Sequence, residues 1–180
     1  MYYYFDFRDS KKQDCYGLLS SLVLQLSVNS EPCSKILSKL YSDVGPVLKP
    51  TLIALKTCIK DMLSQHGQGP IYIIVDGVDE CPNSSGTPSA RWEVLDLIKE
   101  LVGLKCLDVR VCVASRPEID VRMELESLEP LQISLHDEFG QKADIIAFIE
   151  YTVHSKRMPG WTEEDQSLVI ATLSRNANGM

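Results

Sequence analysis

Two stretches of the chain are apolar without alternation. Ile71-Tyr72-Ile73-Ile74-Val75 and Val109-Arg110-Val111-Cys112-Val113-Ala114 are both rich in β-branched side chains. Such runs suit strands buried on both faces, as in a parallel sheet flanked by helices. Elsewhere apolar residues recur at helical spacing. Leu18, Leu19, Leu22, Val23 and Leu26 form one face, with Asp14 available as its cap. Ile36, Leu37 and Leu40 form a second, capped by Ser34. Leu52, Leu55, Ile59, Met62 and Leu63 form a third, opened by Thr51 or Thr57. From Ser89 a helix carries Trp92, Leu95, Ile98 and Leu101 on one side. A short helix fits residues 119–128, and Ile145, Ile146, Phe148, Ile149 and Val153 predict another. Thr162-Glu163-Glu164-Asp165 opens the last with a capping signature. Residues 2–7 read as a first strand and residues 131–135 as a fourth. Strands alternating with helices predict an α/β domain with a mostly parallel sheet.

Length and charge narrow the function classes. The chain has 180 residues, enough for one domain with a small appendage. Lysine and arginine number 18 against 25 aspartates and glutamates, a net charge of -7. That balance argues against nucleic acid as a partner, because phosphate neutralisation needs a basic stripe. A nucleotide ligand is compatible with it, since such a site depends on local groups. No apolar run reaches the ~20 residues that span a bilayer, and the start lacks a basic segment followed by an apolar one, so neither a membrane partner nor a signal peptide is expected. Cysteines stand at 15, 33, 58, 81, 106 and 112, with no C-x-x-C and no histidine at zinc-ligand spacing. This usage predicts reduced thiols in a cytoplasmic chain.

The densest chemistry is Asp76-Gly77-Val78-Asp79-Glu80, three acids directly after an apolar strand. Open α/β sheets bind ligands at that carboxyl edge. A carboxylate there can hold Mg²⁺ directly or through water, and a second can orient a water toward a phosphoryl group. Gly77 leaves room for a ligand or a neighbouring backbone. The plainer alternative is an acidic turn that only closes the strand. Ser115-Arg116-Pro117 ends the second apolar strand, where a guanidinium fork can meet phosphate oxygens; its alternative is a solvated arginine at a loop start. His136-Asp137 suits a polar helix start better than a dyad, and His66 and His154 lack partners at useful spacing. Cys106 and Cys112 fit a core, and Tyr2, Tyr3 and Tyr4 suit strand packing better than base stacking.

The two acidic and basic segments together resemble the NACHT domain of the STAND class of P-loop NTPases, in the form found in fungal nucleotide-binding, repeat-bearing receptors with a nephrocystin-like N-terminal region. Asp76-Gly77-Val78-Asp79-Glu80 is similar to that family's extended Walker B segment, and Ala114-Ser115-Arg116-Pro117 to its sensor strand end. Phe5-Asp6-Phe7-Arg8-Asp9 and the helix from Leu18 look like the elements preceding this core, and Asp144-Ile145-Ile146-Ala147-Phe148-Ile149 with Ala177-Asn178-Gly179-Met180 like the helical region after it. The resemblance implies a three-layer P-loop NTPase-like parallel sheet over residues 1–136, holding strands two to five of the spatial order 2-3-4-1-5, and the beginning of a helical subdomain over residues 137–180. It implies Mg²⁺ with ATP or GTP as cofactor of the complete domain, with Asp76 as metal ligand, Asp79 and Glu80 as catalytic water-positioning acids, and Ser115 and Arg116 as nucleotide contacts. It also implies self-association, an upstream effector domain and downstream repeats. No G-x-x-x-x-G-K-[ST] occurs, so the phosphate cradle is missing and the chain alone is expected to be inactive, as a truncated chain beginning shortly after the P-loop helix. The competing expectation is a non-catalytic interaction or scaffold module derived from a P-loop NTPase.

Overall fold

The computed structural model describes residues 1–45, 48–65, 69–83, 88–104, 108–128, 131, 133, 139–155 and 160–176. Three strands form one sheet: β1 (Tyr2–Tyr4), β2 (Ile71–Asp76) and β3 (Val109–Val113). All are parallel in the order β1-β2-β3, with Tyr3 opposite Val75 and Ile73 opposite Val111. The two apolar runs are therefore neighbours, and the first strand lies beside the one that carries the acids.

The helices are α1 (Cys15–Asn29), α2 (Glu31–Val44), α3 (Leu52–Leu63), α4 (Ala90–Gly103), α5 (Ile119–Glu126), α6 (Phe139–Val153) and α7 (Glu163–Asn176). Local chemistry starts most of them. Asp14 accepts the N–H of Gly17, Thr51 that of Ala54 and Ser89 that of Trp92. Thr162 and Asp165 bond reciprocally in a capping box ahead of α7. Helix α2 begins earlier than the apolar spacing predicts: Ser30 occupies the cap position and Pro32 the first turn, so Ser34 lies inside the helix. Proline fits that first turn because its missing N–H has no partner there anyway.

The core lies on one side of the sheet. Tyr3, Ile73 and Val75 point into it and meet buried residues of α1, α3 and α4, among them Leu18, Leu22, Ile59, Met62, Leu95 and Ile98. The opposite face carries Tyr2, Tyr4, Tyr72, Ile74, Asp76, Arg110 and Cys112, all exposed. This corrects the expectation of strands buried on both faces. An apolar run shows what its side chains tolerate, whereas the number of covering layers depends on where the helices go. Cys112 accordingly leaves the predicted core, and Trp92 stays 46% exposed, while Leu95, Ile98 and Leu101 of the predicted face are buried together with Val94 and Leu97.

The first strand is also shorter than residues 2–7. Asp6 accepts the N–H and guanidinium of Arg8, and the Asp9 N–H bonds the Asp6 carbonyl, which turns the chain away from the sheet. Gln25 of α1 satisfies both outer backbone groups of Tyr2, so this sheet edge is closed by a side chain. The predicted fourth strand falls largely outside the described residues; Leu131 and Ile133 belong to no strand. His66, Cys106, His136 and Asp137 also lie outside them.

The chain divides into two compact units, residues Met1–Pro130 and Leu131–Met180. In the second, α6 and α7 pack on one another, and Ile149 and Val153 are buried. Among the described residues no helix is long and apolar enough to cross a membrane. The described cysteines are free thiols, buried at 15, 33, 58 and 81.

Candidate functional site

β2 delivers the acidic segment to the carboxyl edge of the sheet. Gly77 follows the strand with a φ of 70°, a left-handed conformation that costs glycine little. Its N–H bonds the carbonyl of Ala114, and a Cβ built on it would lie 3.4 Å from the carbonyl oxygen of Phe5. The space that a glycine leaves here is taken by neighbouring backbone. The chain then makes a 3-10 turn, Val78–Glu80.

That turn separates the three acids. Asp76 stays on the open sheet face, exposed and with no partner for its carboxylate among the described residues. The Asp79 side chain, only 10% exposed, turns toward the end of β3. Its Oδ1 accepts the backbone N–H of Arg116 at 3.0 Å and the hydroxyl of Ser115 at 3.3 Å, and its Oδ2 lies 3.5 Å from Arg116 Nε. Glu80 accepts the N–H of Phe7 at 3.1 Å through Oε2. Cys81 extends the pattern, its thiol facing the carbonyl of Gln13 at 2.9 Å. Asp79 therefore holds the loop after β3, while Glu80 and Cys81 both hold the connection between β1 and α1, and burial pushes the Cys81 thiol up to about 12. Arg116 itself projects into solvent, its side chain 80% exposed.

An open cleft of ≈ 350 Å³ lies beside the turn, bounded by Phe7, Gln13, Asp79, Glu80, Arg91 and Arg116. Arg91 is a member that motif reading does not find. Its Nε donates to the carbonyl of Cys81 at 2.9 Å, its Nη2 to that of Asp79 at 2.6 Å, and its Nη1 to Asp120 Oδ2 at 3.1 Å. The one available signal is an arginine in the first turn of α4, where the helix dipole disfavours a cation.

The five expected residues thus fall into two arrangements. Asp79, Ser115 and Arg116 are drawn together, Glu80 joins them through the turn, and Asp76 stands apart. Among the described residues no three His, Cys, Asp or Glu side chains converge to hold a metal ion. A lone free carboxylate suits Mg²⁺ that takes its other ligands from phosphates and water, and does not suit a freestanding metal centre. Asp76 fits the first case.

Residues 1–116 match the family described as Nephrocystin 3, N-terminal, a span that contains both the Asp76–Glu80 segment and the Ser115-Arg116 pair. Neither the curated proteins nor the solved structures gave a match.

Proposed function

The chain belongs to the nephrocystin 3 N-terminal family, and from that premise we propose that it supplies the Walker B half of a NACHT-type P-loop NTPase domain, a nucleotide-dependent signalling switch acting in the cytoplasm. The carrying observation is Asp76: an unengaged carboxylate at the carboxyl end of the central strand, with the exposed Arg116 following the neighbouring one. In this reading Asp76 holds Mg²⁺, and the ion supplies charge neutralisation for the phosphates of ATP or GTP. Arg116 offers the terminal phosphate a planar fork. Asp79 and Glu80 tie the loops that carry these groups, so that a change at the phosphate is felt at the ends of β1 and β3. Their engagement with protein donors supports a domain that signals by changing shape, with slow hydrolysis. Self-association, an upstream effector and downstream repeats belong to the same proposal.

One observation favours the rival scaffold reading. Both acids that would position water already accept hydrogen bonds from the chain itself. Calorimetry separates the two. Mg-ATP titrated into the 180-residue chain is expected to show no saturable micromolar site, because the sequence has no G-x-x-x-x-G-K-[ST]. Joined to a segment bearing that cradle, the chain is expected to bind, and Asp76→Ala to weaken the Mg²⁺-dependent affinity. No binding in the joined protein supports the scaffold, and unchanged affinity in the variant removes Asp76 from the site.

A further inference from the structure

Arg91 is the one buried charged residue among those described, 9% exposed. Two costs attach to its position. A buried guanidinium loses hydration, and a cation in the first turn of a helix meets the positive end of the dipole. Neither cost is needed to build α4, which Ser89 already caps.

What offsets them is a set of contacts reaching to three places. The side chain holds the carbonyls of Asp79 and Cys81 from behind, and the Arg91 backbone N–H bonds the carbonyl of Pro82 at 3.1 Å. The same guanidinium pairs with Asp120, in the first turn of α5, which Asn83 also contacts at 2.9 Å. Helix α5 begins just beyond Arg116 and Pro117. Forward of the turn, Asp79 holds the Arg116 N–H and Glu80 the Phe7 N–H. One residue therefore grips the acidic turn at its backbone and the sensor-strand loop at the helix that follows it.

We infer that Arg91 is a positioning residue that couples the two loops of the candidate site, fixing where the Asp79 and Glu80 carboxylates point and tying their turn to α5. The role rests on the functional reading above only for what those loops bind. A planar fork is needed because three acceptors lie in different directions, and an ammonium on a flexible stem cannot serve them together.

Residue-resolved amide hydrogen exchange on the chain tests this. Arg91→Met keeps much of the stem and removes the donors. It is expected to speed exchange at the Phe7 and Arg116 amides by about tenfold, the scale of a lost hydrogen bond to a charged group, while amides inside α1 and α3 keep their rates. Arg91→Lys is expected to fall between the two. Asp120→Asn leaves the carbonyl grip intact, so it should speed Arg116 and spare Phe7; this variant and Arg91→Lys carry the test if Arg91→Met does not fold. Unchanged exchange at both amides overturns the proposal. So does a uniform rise across all helices, which would make Arg91 a general stabiliser. Asp76→Ala is expected to leave these rates alone, so failure of the nucleotide reading shows in the titrations and not here.

Discussion

The Asp79 carboxylate accepts the backbone N–H of Arg116 at 3.0 Å and also lies 3.5 Å from the guanidinium of the same residue. One nearly buried acid thus fixes the loop that begins after β3, while the arginine's charged end stays in solvent. The backbone contact is the costlier one to lose, because its acceptor is a carboxylate only 10% exposed, whereas the guanidinium is screened by water.

Asp79→Ala is accordingly expected to lower stability by about 1.5–3 kcal/mol, the scale of hydrogen bonds to a charged acceptor. Arg116→Ala should change it by less than about 1 kcal/mol, as for a surface ion pair. Urea denaturation of the two variants measures the difference. Equal midpoints would show that the carboxylate does not anchor the loop.

Gly17→Ala should destabilise the chain although alanine favours helices. A Cβ at this position would stand 2.5 Å from the Lys11 carbonyl oxygen and 2.7 Å from the Tyr3 hydroxyl. The tyrosine can yield, but the backbone carbonyl belongs to the 3-10 turn Ser10–Lys12 that α1 packs against. Overpacking of this kind costs about 1–3 kcal/mol, against the roughly 1 kcal/mol that alanine gains over glycine in a helix. A thermal midpoint at or above that of the unvaried chain would show that the turn relaxes freely.

Stability should fall on the alkaline side. Burial pushes the Tyr3 hydroxyl and the Cys15 and Cys81 thiols up to about 12, and the Cys58 thiol up to about 11. The fold therefore favours the neutral forms. Their contribution is complete below the ordinary values of 9.0 for the thiols and 10.0 for the hydroxyl, and is lost as pH rises through the folded values. The urea midpoint is expected to stay level to about pH 8.5 and then decline steadily. Exposed Cys112 should react with a thiol reagent well before the four buried ones. A midpoint that does not move up to about pH 11 would show that these groups ionise alike in both states.

Arg116 should govern phosphate discrimination in the domain completed by a phosphate cradle. Arg116→Ala is expected to reduce the preference for triphosphate over diphosphate by about tenfold, as for one lost charge-assisted contact. Arg116→Lys should restore it only in part, since an ammonium lacks the fork. Competition titrations with ATP and ADP give the ratio, and an unchanged ratio in the alanine variant leaves Arg116 a solvated loop residue.

Much of the framework was legible in the residues. The runs at 71–75 and 109–114 are strands because β-branched side chains crowd them, and Asp14, Thr51 and Ser89 cap helices because their oxygens reach the first free N–H groups. The acidic segment follows β2 directly, as the apolar run before it predicts, since strand length and the following glycine are local properties. What local chemistry leaves open is orientation. Asp76, Asp79 and Glu80 look equivalent in sequence, and Arg91 looks like any helix residue.

Sequence alone determined most of the helices, the two apolar strands and the acidic turn that follows the first of them, because spacing and capping act within a few residues. Tertiary structure decided which face of the sheet is covered, that Asp76 remains unengaged while Asp79 and Glu80 bind Arg116 and Phe7, and that Arg91 reaches Asp79, Cys81 and Asp120. Those outcomes depend on contacts between residues 10 to 73 positions apart, which the periodicity of any one segment does not encode.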